Sequence, residues 1–422
     1  MDRRRFLQGA AGAAPLALSS GCARQTNASS SAKAGAGPTI EQLDRAAAAP
    51  VLKLQGVSSP VVIDSIRLLR KDGSNFIHVR SKDGAEGISL DNGRASLLQP
   101  IVHELIAPYL VGKDIRDLET HLWELYRFQS NYKLQGLLFW SAQAAVEFAI
   151  LDMLGRIAGK PMGDLLGGVV RREVPFYVAS GRRDSTPQQE VEYLQGLIQE
   201  TGAKAVKFRL GGRMSRNADA LPGRTKNLIS LTRQTFGSAI DLHGDANSSY
   251  DPPQAIEIGR LMEEFKFVYF EEPCPFDHLE DTKTVADALT IPVAGGEQEF
   301  SERRFRWMIH NRGVDIVQPD LFYYGGMIRS LRVARMAALA KMPTTVHISG
   351  GFGFVYMLHF ASVAPDIGRY QEYKRNIERY AGWFEPRLQI KNGAMTVPQG
   401  PGVGIKDLRS VLKGATEVRA AA

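Results

Sequence analysis

From residue 174 onward, short apolar runs alternate with longer stretches whose apolar positions recur at three and four, the texture of strands separated by helices. The runs are VPFYVAS (174–180), AVKFRL (205–210), SAIDLHGDAN (238–247), FVYFEEP (267–273), IPVAGGE (291–297), VDIVQPD (314–320), TTVHIS (344–349) and GRYQEY (368–373). Their repeat of roughly 25 to 30 residues is the length of one βα unit, and eight such units close a barrel. An open doubly wound sheet would rarely need so many parallel strands. Upstream the pattern differs. FIHVRSKDGAEGIS (76–89) reads as two strands joined by a KDG turn, and LETHLWELYRFQ (118–129) and SAQAAVEFAILDMLGRIAGK (141–160) read as amphipathic helices. Strands followed by helices, without alternation, predict an α+β unit. The tail LQIKNGAMTVPQGPGVGIKDL (388–408) has a strand-turn-strand pattern with no further barrel element, which sends it back toward the first unit.

Polar residues fall at the ends of the barrel strands. AVKFRLGG carries Lys207 and Arg209 two positions apart, hence on one strand face. Asp245 and Asn247 end the third strand, Glu271 the fourth, Glu297 the fifth, Asp320 the sixth, His347 the seventh and Glu372 the eighth. In a barrel all C-terminal strand ends converge on one mouth, where active sites sit. Any one of these residues alone has an ordinary role, as a loop brace or a satisfied core histidine; their succession points to chemistry. Asp245, Glu271 and Glu297 offer three oxygen ligands with no interleaved Cys or His, a donor set for Mg2+, with Mn2+ as a substitute, rather than zinc or copper. Without a cation these carboxylates would repel one another. Asp241 and His243 share the face of Asp245, so either is a ligand in a shifted register; both are placed deeper in the barrel. Asp320 and His347 pair a carboxylate with an imidazole, which suits a general base that later returns its proton as an acid. Glu372, one strand further round, can sit protonated and donate a hydrogen bond to a developing oxyanion, or stand as a plain ion pair; its environment decides which.

Composition changes this picture little. At 422 residues, 44% hydrophobic and 23% charged, the chain is globular, with room for one large and one smaller domain. Its formal charge of +7 is dispersed, without the aromatic-and-basic block of a nucleic-acid binder, and fits a small anionic carboxylate substrate. The N-terminus, MDRRRFLQGAAGAAPLALSSGCARQ, places Arg3 and Arg4 ahead of Phe6 and Leu7 and a weakly apolar stretch. It resembles a twin-arginine export signal, and its apolar core is too short to span a membrane in the mature chain. LSSGC resembles a lipoprotein cleavage site with Cys22 as the lipid anchor, although Ser19 stands where Leu is more usual. A periplasmic or membrane-anchored location is expected. Only Cys274 would then remain, so no disulfide framework is expected. The expected organisation is a signal over 1–22, a linker over 23–58, the α+β unit over 59–173, the barrel over 174–375 and a returning segment over 376–422.

KFR, DAN, EEP, GE, QPD before YYGGM, VHIS, QEY, GKPMGDLLGG and VPQGPGVGI together resemble the mandelate racemase branch of the enolase superfamily, across residues 60–408. The resemblance implies an α/β fold, a modified TIM barrel (β/α)7β beneath an α+β capping domain built from both chain ends, with cap loops around 70–76 and 88–94 closing over substrate. It implies that Asp245, Glu271 and Glu297 hold magnesium, that His347 with Asp320 is the base dyad, that Glu372 is the electrophilic acid and that Asn247 touches substrate. The implied chemistry is abstraction of the proton α to a carboxylate, giving a magnesium-stabilised enediolate. Family members with two bases carry lysine at both KFR positions, and here the second is Arg209. A guanidinium cannot be tuned down into a base as a lysine can, so Arg209 is expected to clamp an anion. GGRMSRNADALPGR (211–224) exceeds the usual loop and is expected to serve specificity or oligomer contacts, a homo-oligomer being expected.

Racemisation needs bases on both faces of one carbon, whereas dehydration needs one group to take the α-proton and an acid to help the β-hydroxyl leave. His347 can perform both of the latter steps, so the leading expectation is a sugar-acid dehydratase producing a 2-keto-3-deoxy acid. The alternative enzyme is a racemase or epimerase of an α-substituted carboxylate with Lys207 as the second base. A lipoprotein that binds sugar acids without turnover is the reading of another class, and it leaves the metal, dyad and acid residues without a purpose.

Overall fold

The computed structural model describes residues 37–418 apart from 92, 349, 350 and 374. The signal, Cys22 and the linker before residue 37 lie outside the described residues. β1 (Ile63–Lys71), β2 (Ser74–Ser81) and β3 (Glu86–Leu90) form an antiparallel meander, and Thr416–Glu417 pairs with the free edge of β1. Both chain ends thus build one sheet. Its inner face packs on the helix Leu137–Ala158, whose residues 139–155 are all buried. That helix is apolar enough to cross a membrane by composition, yet it is a core helix. Gly87 lies where a Cβ would strike the Ala149 carbonyl and the Met153 backbone, so only glycine allows strand and helix to approach this closely.

Two buried carboxylates of this helix tie the cap to its surroundings. Asp152 accepts from the backbone N–H of Ile88 (2.9 Å) and Val403 (2.8 Å) and from Arg156 Nε (3.0 Å), joining β3, the helix and the returning C-terminal segment. Glu147 accepts from Ile328 N (3.1 Å) at the start of the barrel helix Met327–Leu339. Burial pushes its carboxyl up to about 8, against the pull of the Ile328 and Met327 N–H groups.

The barrel strands are β4 (Glu173–Ala179), β5 (Ala205–Arg209), β6 (Asp241–Asp245), β7 (Tyr269–Glu271), β8 (Val293–Gly295), β9 (Ile316–Val317) and β10 (Gln371–Tyr373). β4 to β9 pair in sequence order, all parallel, and β10 closes the ring against β4. The first half of β4 also pairs with Ala394–Thr396, part of the C-terminal hairpin. TTVHIS is expected to be a full strand, and the structure gives less. It makes single bridges from Thr344 to Val317 and Ile367, and from His347 to Asp320. On the β9 side Pro319 has no N–H to donate, and on the β10 side the Gln371 and Glu372 side chains accept from Val346 and Ile348 in place of backbone carbonyls.

The expected linker over 23–58 is corrected in its second half. Ile40–Ala48 is a helix opened by a Thr39–Gln42 capping box, and it buries Leu43 and Ala47 against the barrel helices Glu302–His310 and Met327–Leu339. Arg306 holds Asp44 at 2.6 and 2.7 Å. A nine-residue helix is marginal alone, so this docking stabilises it.

Candidate active site

Strand register assembles the site. Arg209 lies opposite Asp245 and Asp245 opposite Glu271, so three charged residues of β5, β6 and β7 form one row at the C-terminal end of the sheet. Glu297, two residues past β8, completes a trio: ligand oxygens of Asp245, Glu271 and Glu297 all lie within 4.8 Å of one another, and all three residues are buried. Glu297 Oε2 is buried without a hydrogen-bond partner. Oxygen donors at this spacing, with no Cys or His among them, fit a hard divalent cation such as Mg2+.

Asp241 and His243 do not join the trio. Asp241 sits at the opposite end of β6 and pairs with Arg369 (3.1 Å), while His243 stacks on Tyr269 with 4.1 Å between centroids. Burial first, then the Lys207 charge, pulls His243 down to about 3, so it is a neutral part of the barrel floor together with Tyr177.

The two cations of KFR serve as counter-charges. Lys207 Nζ is 2.6 Å from Glu271 Oε1, and 3.6 Å from both Asp245 Oδ2 and Glu372 Oε1. Burial opposes its charge, but Glu271 and Glu372 outweigh burial and hold the ammonium above its usual range. The Arg209 guanidinium lies directly against Asp245 Oδ2.

Across the mouth, His347 Nδ1 meets Asp320 Oδ2 at 2.6 Å, and Asp320 Oδ1 accepts from the N–H groups of Phe322 (2.7 Å) and Tyr323 (2.8 Å). The carboxylate is fixed by backbone, and it fixes the ring in turn. His347 Nε2 faces inward, 3.6 Å from Glu297 Oε2 and 3.9 Å from Glu372 Oε2. Burial opposes protonation of the ring, yet Glu297, Glu372 and Asp320 raise it to about 9. Burial likewise works against charge on Glu297, but His347, then Lys207 and Arg209, hold that carboxyl below its usual range.

Three participants escape a reading of strand ends. Gln318 donates to Glu271 Oε2 (2.9 Å). Glu272, with φ 41°, turns back into the site beside Asn247, and burial followed by the Glu297 and Glu271 charges pushes it up to about 8. Arg183, beyond β4, donates to Asn247 Oδ1 (2.7 Å). Over the mouth, Arg94 reaches the Tyr323 hydroxyl (3.5 Å), and the Tyr323 ring centroid is 6.3 Å from that of His347. The turn at 70–76 is instead tied to the C-terminal segment, by Lys71 to the Val411 carbonyl and by Arg379 to Ser74.

A parallel barrel with a carboxylate trio on three adjacent strands and a His–Asp pair across from it offers, at the C-terminal mouth where barrel active sites sit, a donor set for a divalent cation and a group able to move a proton. Residues 189–408 match the enolase C-terminal domain-like family, and residues 51–167 match the mandelate racemase / muconate lactonizing enzyme N-terminal domain. The chain belongs to the enolase superfamily, in its mandelate racemase and muconate lactonizing enzyme division. It is 28% identical to an arabinonate dehydratase of Saccharolobus solfataricus over 77% of this chain and 86% of that one. It is equally 28% identical to a D-galactonate dehydratase of Xanthomonas campestris pv. campestris, over 81% and 91%. Among solved structures, a Roseobacter denitrificans protein proposed to be a racemase superposes with TM-score 0.77 at 34% identity, covering 85% of this chain and 99% of that one. A mandelate racemase/muconate lactonizing protein of Paracoccus denitrificans, complexed with magnesium, superposes with TM-score 0.76 at 25% identity, over 85% and 99%.

Proposed function

We propose that the protein is a magnesium-dependent sugar-acid dehydratase that converts a polyhydroxy carboxylate to a 2-keto-3-deoxy acid and water. The observation that carries this reading is the asymmetry of the mouth. One side holds an oriented imidazole, and the other holds two cations, Lys207 and Arg209, each bound to a carboxylate, with the Lys207 ammonium held above its usual range. A single base suits elimination better than racemisation.

Asp245, Glu271 and Glu297 would hold magnesium, which would supply positive charge to stabilise the substrate carboxylate as its α-proton leaves and would offset the Glu297 charge that raises His347. His347 Nε2 takes the α-proton, with Asp320 stabilising the imidazolium. The ring then gives that proton to the departing β-hydroxyl, which leaves as water, and the resulting enol becomes the 2-keto acid. Glu372 lies buried between Lys207 and the dyad, 3.6 Å from Lys207 Nζ and 3.9 Å from His347 Nε2, where it would donate toward the carboxylate oxygen that gains electron density only after taking up a proton. Asn247, whose N–H is bonded to the trio's Asp245, is proposed to meet a substrate hydroxyl. Several relatives are named as sugar-acid dehydratases, which supports the reaction class.

A screen of acid sugars with magnesium, read by semicarbazide detection of keto products, tests the proposal. Solvent deuterium incorporated into a sugar acid, with both epimers returned and no keto product, would overturn it in favour of the epimerase. The enzyme is further proposed to be exported through a twin-arginine-type signal and anchored at Cys22; intact-mass measurement of the exported chain shows whether a lipid is present.

A further inference from the structure

The first two strand exits of the barrel, after β4 and β5, carry two arginines, Arg183 and Arg213, that the carboxylate trio does not pair. Arg183, in the loop after β4, donates through Nη2 to Asn247 Oδ1 (2.7 Å) and through Nε to the Gly211 carbonyl (3.2 Å). Arg213, in the long loop after β5, donates to the same Asn247 oxygen (3.4 Å). Among the described residues, neither guanidinium has a carboxylate within ion-pair distance. Burial first, then the charges of Arg209, Arg213 and Arg224, pulls Arg183 down to about 10. Behind them, Nε of the buried Arg209 has no hydrogen-bond partner. Neighbouring arginines show the contrast. Arg182 and Arg224 each have a carboxylate oxygen, Glu190 Oε2, at 3.9 Å.

The chain goes to some length to keep Arg213 there. Residues 211–224 fold back along the exit of β6: Met214 N donates to Asn247 O (3.1 Å), Asn217 N to Ser249 O (2.8 Å), and Asn217 Nδ2 to Asp251 Oδ2 (2.8 Å). Met214, Arg216 and Asn217 all hold positive φ, 49°, 52° and 72°, a costly backbone kept in place by these bonds. Gly211, at φ +59°, has Ser249 and Tyr250 atoms 2.8 to 2.9 Å from where a Cβ would be. Asn247 connects the arginines to the trio, since its N–H donates to Asp245 Oδ1 (2.8 Å) and its amide to Glu272 Oε2 (3.4 Å). These guanidiniums therefore stand at the first two strand exits and meet at Asn247 of the third, beside the carboxylate trio, while the His347 dyad stands at the sixth and seventh.

We propose that Arg183 and Arg213 bind a second carboxylate at the far end of the substrate, so that the chain selects sugar diacids over sugar monoacids. The reaction named here rests on the dehydratase reading above; the binding preference does not. A substrate whose first carboxylate goes to the metal trio presents at its other end either a neutral CH2OH, which leaves the guanidiniums unmatched, or a planar carboxylate, which their forked donors fit.

The test compares acids that differ only at the terminal carbon, galactarate with galactonate and glucarate with gluconate, using the full chain with Mg2+. The diacid is expected to have the higher kcat/KM by about tenfold or more, and Arg183→Met and the exposed Arg213→Ser are each expected to lower the diacid-to-monoacid ratio by about tenfold. A ratio that does not move in either variant overturns the proposal, as does a wild-type preference for the monoacid or for 6-phosphogluconate over glucarate. If none of these acids yields a keto product, calorimetric binding of the same pairs with Mg2+ separates the two readings. Diacid binding that weakens in Arg213→Ser upholds the arginine site while the dehydratase reading falls; equal binding of diacid and monoacid, or of neither, overturns the arginine site.

Discussion

Lys207 and Glu271 form a buried ion pair at 2.6 Å between β5 and β7, beside the other two carboxylates of the trio, Asp245 and Glu297. The ammonium is therefore a resident counter-ion of this site.

Lys207→Met removes that counter-ion and leaves buried carboxylates facing one another, and breaking a buried pair from one side typically costs about 3–5 kcal/mol. A metal ion supplies the missing charge. The expected outcome is a large fall in the thermal midpoint with EDTA and a substantially smaller one with saturating Mg2+, so that magnesium stabilises the variant more than the wild type. Differential scanning fluorimetry with and without the ion measures this, and equal magnesium shifts in the two proteins would show that Lys207 does not balance the trio.

The dyad yields a sharper kinetic expectation. His347→Asn removes the proton acceptor and is expected to lower kcat by about 10²–10⁴-fold or more, with acid-sugar binding retained. Asp320→Asn keeps the backbone hydrogen bonds from Phe322 and Tyr323 in reach but withdraws the charge that stabilises the imidazolium. Its loss of kcat should exceed its change in KM. Steady-state kinetics with α-deuterated substrate checks both, because a one-base enzyme loses exchange of the α-proton together with turnover.

Much of this site was legible in the sequence because strand periodicity carries it: Asp245, Glu271 and Glu297 stand at the ends of successive apolar runs, and parallel register brings such ends together. What escaped lies where periodicity fails. Arg183 and Arg213 sit in loops, delivered by backbone bonds that no apolar pattern foretells. Glu272 should by alternation point away from Glu271, but a positive φ turns it inward. The helix Ile40–Ala48 buries only Leu43 and Ala47, too few apolar positions to stand out, although Thr39 and Gln42 spell its capping box.

Metal removal follows from the donor set. EDTA should abolish turnover, and Mg2+ or Mn2+ should restore it. In wild type, Mg2+ at about a hundredfold excess over its Kd should add about 2.7 kcal/mol to unfolding stability. Glu297→Gln, which removes one charged ligand, should weaken that increment. Urea titrations across a magnesium series measure it, and an increment unchanged in Glu297→Gln would remove Glu297 from the ligand set.

A pH effect independent of the site comes from His359, fully buried on the helix Gly353–Val363. Its Nε2 donates to the Val403 carbonyl (3.1 Å), and Nδ1 has no partner. Burial pulls its pKa down to about 4, against the opposing effects of Val403 and the Asp164 charge, while the unfolded chain binds a proton near 6.5. Between those values the unfolded state holds the extra proton, so stability falls as pH drops from about 6.5 toward 4 and this contribution levels off below. The full span corresponds to about 3 kcal/mol. His359→Gln keeps an N–H for Val403 and removes the titration, so its stability should decline less over this interval than that of the wild type. Urea midpoints at several pH values compare the two curves. The carboxylates common to both proteins cancel in the difference, and parallel curves would mean that His359 is protonated in the folded state as readily as in the unfolded one.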